Sequence, residues 1–243
     1  MSKPLRVAII AEGKTDFVVL CAAIESLLQG QDFEPVLVQP DYPAGAQPGP
    51  TGEGWGGVYR WCQQARRQGG GRVGGAPIVA EVIVIHLDAD VADKTYRQAH
   101  LVDPTDDLPC ARPCPTASDT TDALRAVVLR WTGEQSLAEG FIFCTPSKSM
   151  ETWVLAALFP NDAEMQRQGW ECHGNPDGRL AASPKSRRVA KSERDYRDRS
   201  DRIRDAWPDV RKRLDEAERF SREFESVPAV RRSLSQSHAD DRL

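Results

Sequence analysis

Carboxylates that follow short apolar segments are the residues of this sequence best placed to do chemistry. Glu12 comes directly after the apolar residues 5–11, and Asp88 and Asp90 end a second apolar run. Two acids separated by one residue can converge on one hard cation, and a third carboxylate from a neighbouring strand would complete the protein ligands. Mg²⁺ suits such a site, and Mn²⁺ is an alternative, because both prefer oxygen ligands. The spacing therefore predicts a metal-dependent catalytic site at Glu12, Asp88 and Asp90.

The residues after Glu12 are candidate contacts to a phosphate. Gly13 allows a tight turn and a close approach of substrate to the backbone. Lys14 offers a positive charge, and Thr15 opens a helix whose N-terminus favours a phosphate. We expect Asp16 to cap that helix.

A second group of candidates lies further along the chain. Glu151 opens another helix and is predicted to be a further metal ligand, with Lys148 nearby as a phosphate contact. Lys185 and Lys191 are also candidate phosphate contacts, although solvated lysines are common on protein surfaces. His86 is expected to be a buried histidine without a catalytic role.

The elements that must position these residues alternate between strand and helix. Short β-branched runs predict four strands, and 3.6-residue periodicity between them predicts four helices. The predicted strands are residues 5–11, 33–39, 81–88 and 140–144, and the predicted helices are 17–29, 58–68, 123–131 and 150–159. This order predicts a layered α/β, Rossmann-like domain with a mainly parallel four-stranded sheet. Ligands bind at the carboxyl ends of such strands, where the acids lie.

The sequence after residue 160 is charged and poor in apolar residues. We predict an α/β metal-binding domain over 1–160, a charged helical extension over 161–230 and a disordered tail over 231–243. Basic residues outnumber acidic ones over 185–213, which could form a phosphate-facing surface or a solvated helix with internal ion pairs.

Composition sets the broad class of protein. The chain has 243 residues, 40% of them hydrophobic, and a net charge of -4, which indicates a globular protein without bulk basic character. It has no apolar run near the length of a membrane span, so we expect a cytoplasmic protein with no membrane partner.

Its six cysteines are expected to be free thiols. The alternative is a zinc site with four ligands, Cys110, Cys114, Cys172 and His173.

Two motifs resemble the Toprim superfamily. Ile-Ala-Glu12-Gly13 after the first strand and Asp88-Ala-Asp90 after a later one are similar to the Glu-Gly and Asp-x-Asp motifs of that domain. Glu151-Thr-Trp153 resembles a segment of small bacterial Toprim-like proteins catalogued as the domain of unknown function DUF4276.

The resemblance implies a Toprim-like fold over residues 5–160 and magnesium held by the acids. It also implies a nuclease in which Glu12 is a general acid/base or a metal ligand, with nucleic acid as substrate. Bacterial Toprim-like proteins are similar to the nuclease components of phage-defence systems, so the resemblance implies an effector in bacterial antiviral defence and a separate ATPase subunit as a partner. A homodimer is compatible with this interpretation.

Three other hypotheses compete with the nuclease. A Toprim-like subunit could bind nucleic acid or a partner without cleaving anything. Gly13-Lys14-Thr15 could belong to an NTPase P-loop, but Ala8 stands where the first glycine of that motif should be. Asp88 could be the nucleophile of a phosphotransferase, which would leave Glu12 without a role.

Overall fold

The central sheet is built from the four apolar segments that the sequence predicts. The computed structural model describes residues 3–42, 47–68, 72–73, 76–77, 80–102, 107–182 and 188–240. Its strands are β1 (Leu5–Ile10), β2 (Phe33–Gln39), β3 (Arg72–Val73), β4 (Ala76–Pro77), β5 (Val82–His86) and β6 (Phe141–Cys144). The order β2-β1-β5-β6 forms one four-stranded sheet whose neighbours are all parallel. The predicted α/β class and parallel sheet are confirmed, and β3 and β4 form a separate antiparallel pair.

Helices follow each strand of the main sheet, as predicted. The helices are α1 (Lys14–Leu28), α2 (Gly54–Arg67), α3 (Ser118–Thr132), α4 (Glu151–Leu158), α5 (Ala163–Gln168), α6 (Pro176–Ala181), α7 (Glu193–Arg197), α8 (Ser200–Arg213), α9 (Asp215–Ser226) and α10 (Pro228–Asp240). Short 3₁₀ turns cover Ala89–Asp93, Tyr96–Ala99 and Trp170–Cys172. Within the part of the chain that the structure describes, we find no helix long and apolar enough to span a bilayer.

Side-chain alternation along the strands separates two hydrophobic cores. On β1, Val7 and Ile9 pack with α1, α4, α8 and α9, whereas Ala8 and Ile10 pack with α2 and α3. Because successive side chains of a strand point to opposite faces, an apolar strand with no polar alternation is buried on both sides. The sheet is therefore the middle layer between two layers of helices.

The connections place a crevice between β1 and β5. From β1 the chain passes through α1 to β2 at one edge of the sheet. It then returns through α2 to β5 on the other side of β1, and α2 packs on the opposite face from α1. The strand order reverses at this point, and open α/β sheets bind ligands at the carboxyl ends of strands beside such a reversal.

The hydrophobic core continues past the boundary that we predicted near residue 160. The ring of Trp153 in α4 lies 5.1 Å from that of Trp207 in α8 and 5.9 Å from that of Phe220 in α9. The described residues after 160 include helices α5 to α10, and α8 and α9 share one hydrophobic core with α1 and α4. The predicted disordered tail, 231–243, is helical as far as Asp240, and 241–243 lie outside the described residues.

Two cysteines form a disulfide, so the prediction of six free thiols was wrong. Cys114 and Cys172 are 58 residues apart in sequence, and the fold brings their Cα atoms to 5.5 Å, a typical disulfide separation. The zinc alternative is also excluded, because disulfide sulfurs are not thiolate ligands. Cys110 remains a free, exposed thiol.

Candidate metal centre

Glu12, His86 and Asp88 converge at the carboxyl ends of β1 and β5. The Glu12 Oε1 atom accepts a hydrogen bond from the backbone N–H of Asp88 at 2.8 Å. The His86 Nε2 atom lies 3.1 Å from Asp88 Oδ1. One ligand atom from each of the three residues lies within 4.8 Å of the other two. The crevice predicted from the strand order therefore contains two carboxylates and an imidazole.

The Asp88 carboxylate is held from two directions. Its Oδ1 atom also accepts the backbone N–H of Met150, at 2.9 Å, in the turn that leads into α4. Asp88 is only 8% exposed. Backbone donors cannot rotate away, so the carboxylate is fixed in orientation before any ligand arrives.

Burial and mutual repulsion make this cluster electrostatically unfavourable without a cation. Burial raises the pKa of the Glu12 carboxyl well above its usual value, and the neighbouring Asp88 raises it further, while His86 opposes the rise. The pKa of the Asp88 carboxyl is also raised well above its usual value. Burial is the largest cause, and the negative charge of Asp16 is the next. A divalent cation would relieve this repulsion, so the cluster fits a bound metal ion.

The donor set fits a divalent metal ion in more than one way. Carboxylate oxygens suit Mg²⁺ and Mn²⁺, whereas an imidazole suits heavier transition metals. His86 is fully buried, and its Nδ1 atom has no hydrogen-bond partner among the described residues. Its Nε2 atom faces Asp88, so His86 can either bind the ion or orient the Asp88 carboxylate.

The structure does not bring Asp90 into the cluster. The backbone is extended at Asp88 and then enters the 3₁₀ turn Ala89–Asp93. Side chains two residues apart share a face only in extended backbone, so the turn directs Asp90 away from Asp88. The Asp90 side chain is 47% exposed and forms an ion pair with Lys94 at 3.0 Å. Asp90 still adds negative charge near Asp88, whose pKa it raises.

Glu151 lies beside a lysine rather than among the three clustered residues. It is fully buried at the first position of α4. Its Oε1 atom accepts a hydrogen bond from the Tyr196 hydroxyl at 3.0 Å and lies 2.9 Å from Lys191 Nζ. The predicted metal ligand Glu151 and the predicted phosphate contact Lys191 are thus partners of one another.

The residues after Glu12 border the centre. Gly13 is the N-cap of α1 and has extended backbone, so its conformation does not require glycine. An added Cβ would meet Asp16 Oδ2 at 3.4 Å, an ordinary contact. Lys14 Nζ lies 3.7 Å above the ring of Tyr42, and Thr15 is half-buried in the first turn of α1.

The loop after β6 brings Lys148 beside the centre. Lys148 has a left-handed backbone with φ of 82°, and its carbonyl oxygen accepts the N–H of Asp90 at 2.9 Å. Strained backbone at a non-glycine residue is typical of functional loops. Lys185 lies outside the described residues.

Sequence reasoning missed four polar residues around the centre. Asp16 is 4% exposed and accepts a hydrogen bond from the backbone of Gly13, and Asp177 forms an ion pair with Lys191. Tyr196 contacts Glu151, and His86 contacts Asp88. Only His86 carried a signal, because it stands two residues before Asp88 on a strand and so shares its face.

The local geometry excludes the P-loop hypothesis. The four residues that would wrap a phosphate include Ile9 and Ile10, which are buried strand residues of β1. Only residues 11–13 separate β1 from α1. A P-loop needs a longer glycine-rich loop between its strand and helix.

Comparison with protein families, with characterised proteins and with solved structures found no match for this chain.

Proposed function

We propose that this protein is a divalent-metal-dependent nuclease that cleaves nucleic-acid phosphodiesters and has a Toprim-like fold. The observation that carries the proposal is the convergence of Glu12 and Asp88 at the crevice between β1 and β5. The Glu-Gly and Asp-x-Asp motifs that resemble Toprim domains supply these two acids from two different strands.

A metal ion in this crevice would neutralise a phosphodiester oxygen and favour attack by water. Glu12 and Asp88 would hold the ion, and Mg²⁺ or Mn²⁺ suits their oxygen donors. Glu12 accepts the Asp88 N–H through Oε1, and its carboxylate would bind the ion in its deprotonated form.

Three lysines on segments that adjoin the centre are the candidate contacts to a polyanionic substrate. Lys14 opens α1 two residues after Glu12, and Lys148 lies two residues before the Met150 N–H that holds Asp88. Lys191 reaches the centre from the segment before α7. Lys14 also lies 3.9 Å from Glu193, and Lys191 contacts Glu151 and Asp177, so acids accompany these lysines.

The non-catalytic alternative is less well supported, because a binding module has no need to crowd buried carboxylates where phosphate must approach. The role in antiviral defence, the separate ATPase subunit and the homodimer stay predictions that rest on the sequence resemblance.

Cleavage of fluorescent oligonucleotides tests the proposal. Single-stranded DNA, double-stranded DNA and RNA would each be incubated with the protein in Mg²⁺, in Mn²⁺ and with a chelator. Glu12→Gln and Asp88→Asn should each lower the cleavage rate by about 10²- to 10⁴-fold. Asp209→Asn is the matched control, because Asp209 is exposed and pairs only with Lys212 among the described residues.

Wild-type rates in both site variants would contradict the proposal. Binding of the same oligonucleotides without cleavage under any metal condition would favour the non-catalytic subunit instead.

A further inference from the structure

Lys191 is the cation at the centre of a second group of acids next to Glu12 and Asp88. Its Nζ atom lies 2.9 Å from Glu151 Oε1 and 3.0 Å from Asp177 Oδ1. The Ser149 hydroxyl donates to the other Asp177 oxygen at 3.3 Å. Lys191 therefore joins α4 to α6 through two carboxylates.

The group around Lys191 lies next to the proposed metal centre. Glu151 directly follows Met150, whose backbone N–H donates to Asp88 Oδ1 at 2.9 Å. Asp177 is joined to the same segment by the Ser149 hydroxyl. The acids on α4 and α6 therefore border those that follow β1 and β5.

Two-metal phosphodiesterases hold two ions about 3.5–4 Å apart within one group of acids. In this protein Glu151, which follows the Met150 whose N–H holds Asp88, shares the Lys191 ammonium group with Asp177. The Tyr196 hydroxyl fixes the same Glu151 oxygen that Lys191 contacts. An ammonium group therefore occupies the cation position between Glu151 and Asp177.

We propose that the Lys191 ammonium takes the place of a second metal ion, so that the centre binds a single divalent cation at Glu12 and Asp88. The inference rests on the proposed function and assigns Glu151 and Asp177 the task of positioning Lys191. The Lys191 side chain is 54% exposed, so its charge is accessible to a phosphate. A lysine supplies a compact charge that does not depend on metal concentration.

Counting bound Mn²⁺ ions tests this assignment without any measurement of activity. Calorimetric titration and the electron paramagnetic resonance signal of free Mn²⁺ would give the number of ions per chain. We expect one ion for the wild type and two for Lys191→Met, because the methionine leaves buried Glu151 and its neighbour Asp177 without their cation. Lys191→Arg keeps the positive charge and should bind one ion.

Lys212→Met is the matched control, since it removes a lysine from an exposed ion pair with Asp209 and should leave one ion bound. Circular dichroism would establish that each variant is folded. If Lys191→Met does not fold, the ion counts of the wild type and of Lys191→Arg still test the inference. Two ions on both the wild type and Lys191→Arg would overturn the inference.

One ion on wild type and on folded Lys191→Met, with equal affinity, would also overturn the inference while leaving the proposed function intact. No ion on the wild type would instead contradict the proposed function itself. The two proposals can therefore fail separately.

Discussion

At the scale of single residues, Asp88 connects the parts of the centre. Its carboxylate contacts His86 and the Met150 N–H, and its own N–H is bound by Glu12. Glu12 follows β1, His86 ends β5 and Met150 precedes α4. One acid therefore fixes these three elements relative to one another. Such a residue is expected to affect metal affinity more than Asp90, which points to Lys94.

His86 should support metal binding through its contact with Asp88. His86→Gln is expected to weaken Mn²⁺ affinity by about 10- to 100-fold, the usual cost of losing a residue that orients a metal ligand. Calorimetric titration measures the change, with exposed His100→Asn as the control. Unchanged affinity in His86→Gln would mean that His86 is only a core residue.

Part of this centre could be predicted from the sequence, because the ends of parallel strands must meet at one edge of the sheet. Glu12 and Asp88 follow from that rule. The position of Asp90 could not be predicted in this way, because the amino-acid sequence does not reveal the 3₁₀ turn after Asp88. Asp177 and Tyr196 reach the centre from distant segments, and no local pattern encodes such packing.

At the scale of elements, strand and helix order was predictable because buried parallel strands are continuous apolar runs. Four predicted strands and the helices after them appear with shifts of a few residues at their ends. The starts of α2 and α3 differ most from the prediction, at residues 54 and 118 instead of 58 and 123. The start of α2 contains three glycines, which lower its local helix preference.

The turn Trp170–Cys172 carries a carboxyl that should make stability depend on pH. Burial raises the pKa of Glu171 from its ordinary value of 4.5 to about 7, and the carboxyl accepts the backbone N–H of Glu216 at the start of α9. A carboxyl whose pKa is raised on folding contributes its full stability below its unfolded pKa. That contribution is lost as the pH rises through about 7.

Glu171→Gln should remove this dependence, because the amide cannot ionise but can still accept the Glu216 N–H. Relative to wild type, the variant should gain on the order of 3 kcal/mol of unfolding free energy between about pH 4 and pH 8. Urea denaturation across this pH range measures the gain, and exposed Glu134→Gln is the control. A difference that does not change with pH would contradict the assignment.

At the scale of the whole molecule, one core joins the N-terminal sheet to the C-terminal helices. We predicted a boundary near residue 160 because the later sequence is highly charged. The apolar residues of that region nevertheless join the same core: Trp207 and Phe220 pack against Trp153, and Phe224 packs against Phe220. The hydrophobic core therefore extends into a highly charged region.

The Cys114–Cys172 disulfide is a second long-range connection, and thiol counting tests it. The chain has six cysteines, of which four are free in the structure. Denatured, unreduced protein should therefore show four reactive thiols, and reduction should release two more. Cys114→Ser should lower the unfolding free energy by on the order of 4 kcal/mol, given a loop of 58 residues. Six reactive thiols before reduction would exclude the disulfide.

The central claim is that Glu12 and Asp88 hold a divalent cation, and the thermal stability of the whole molecule with and without Mn²⁺ tests it most directly. A ligand at about 100 times its Kd stabilises a folded protein by about 2.7 kcal/mol, so the wild type should unfold at a higher temperature in Mn²⁺. Asp88→Asn should unfold at a higher temperature than wild type without metal, because it removes a crowded buried acid, and should show no Mn²⁺ shift. Asp90→Asn should keep the shift. A Mn²⁺ shift of wild-type size in Asp88→Asn would contradict the account.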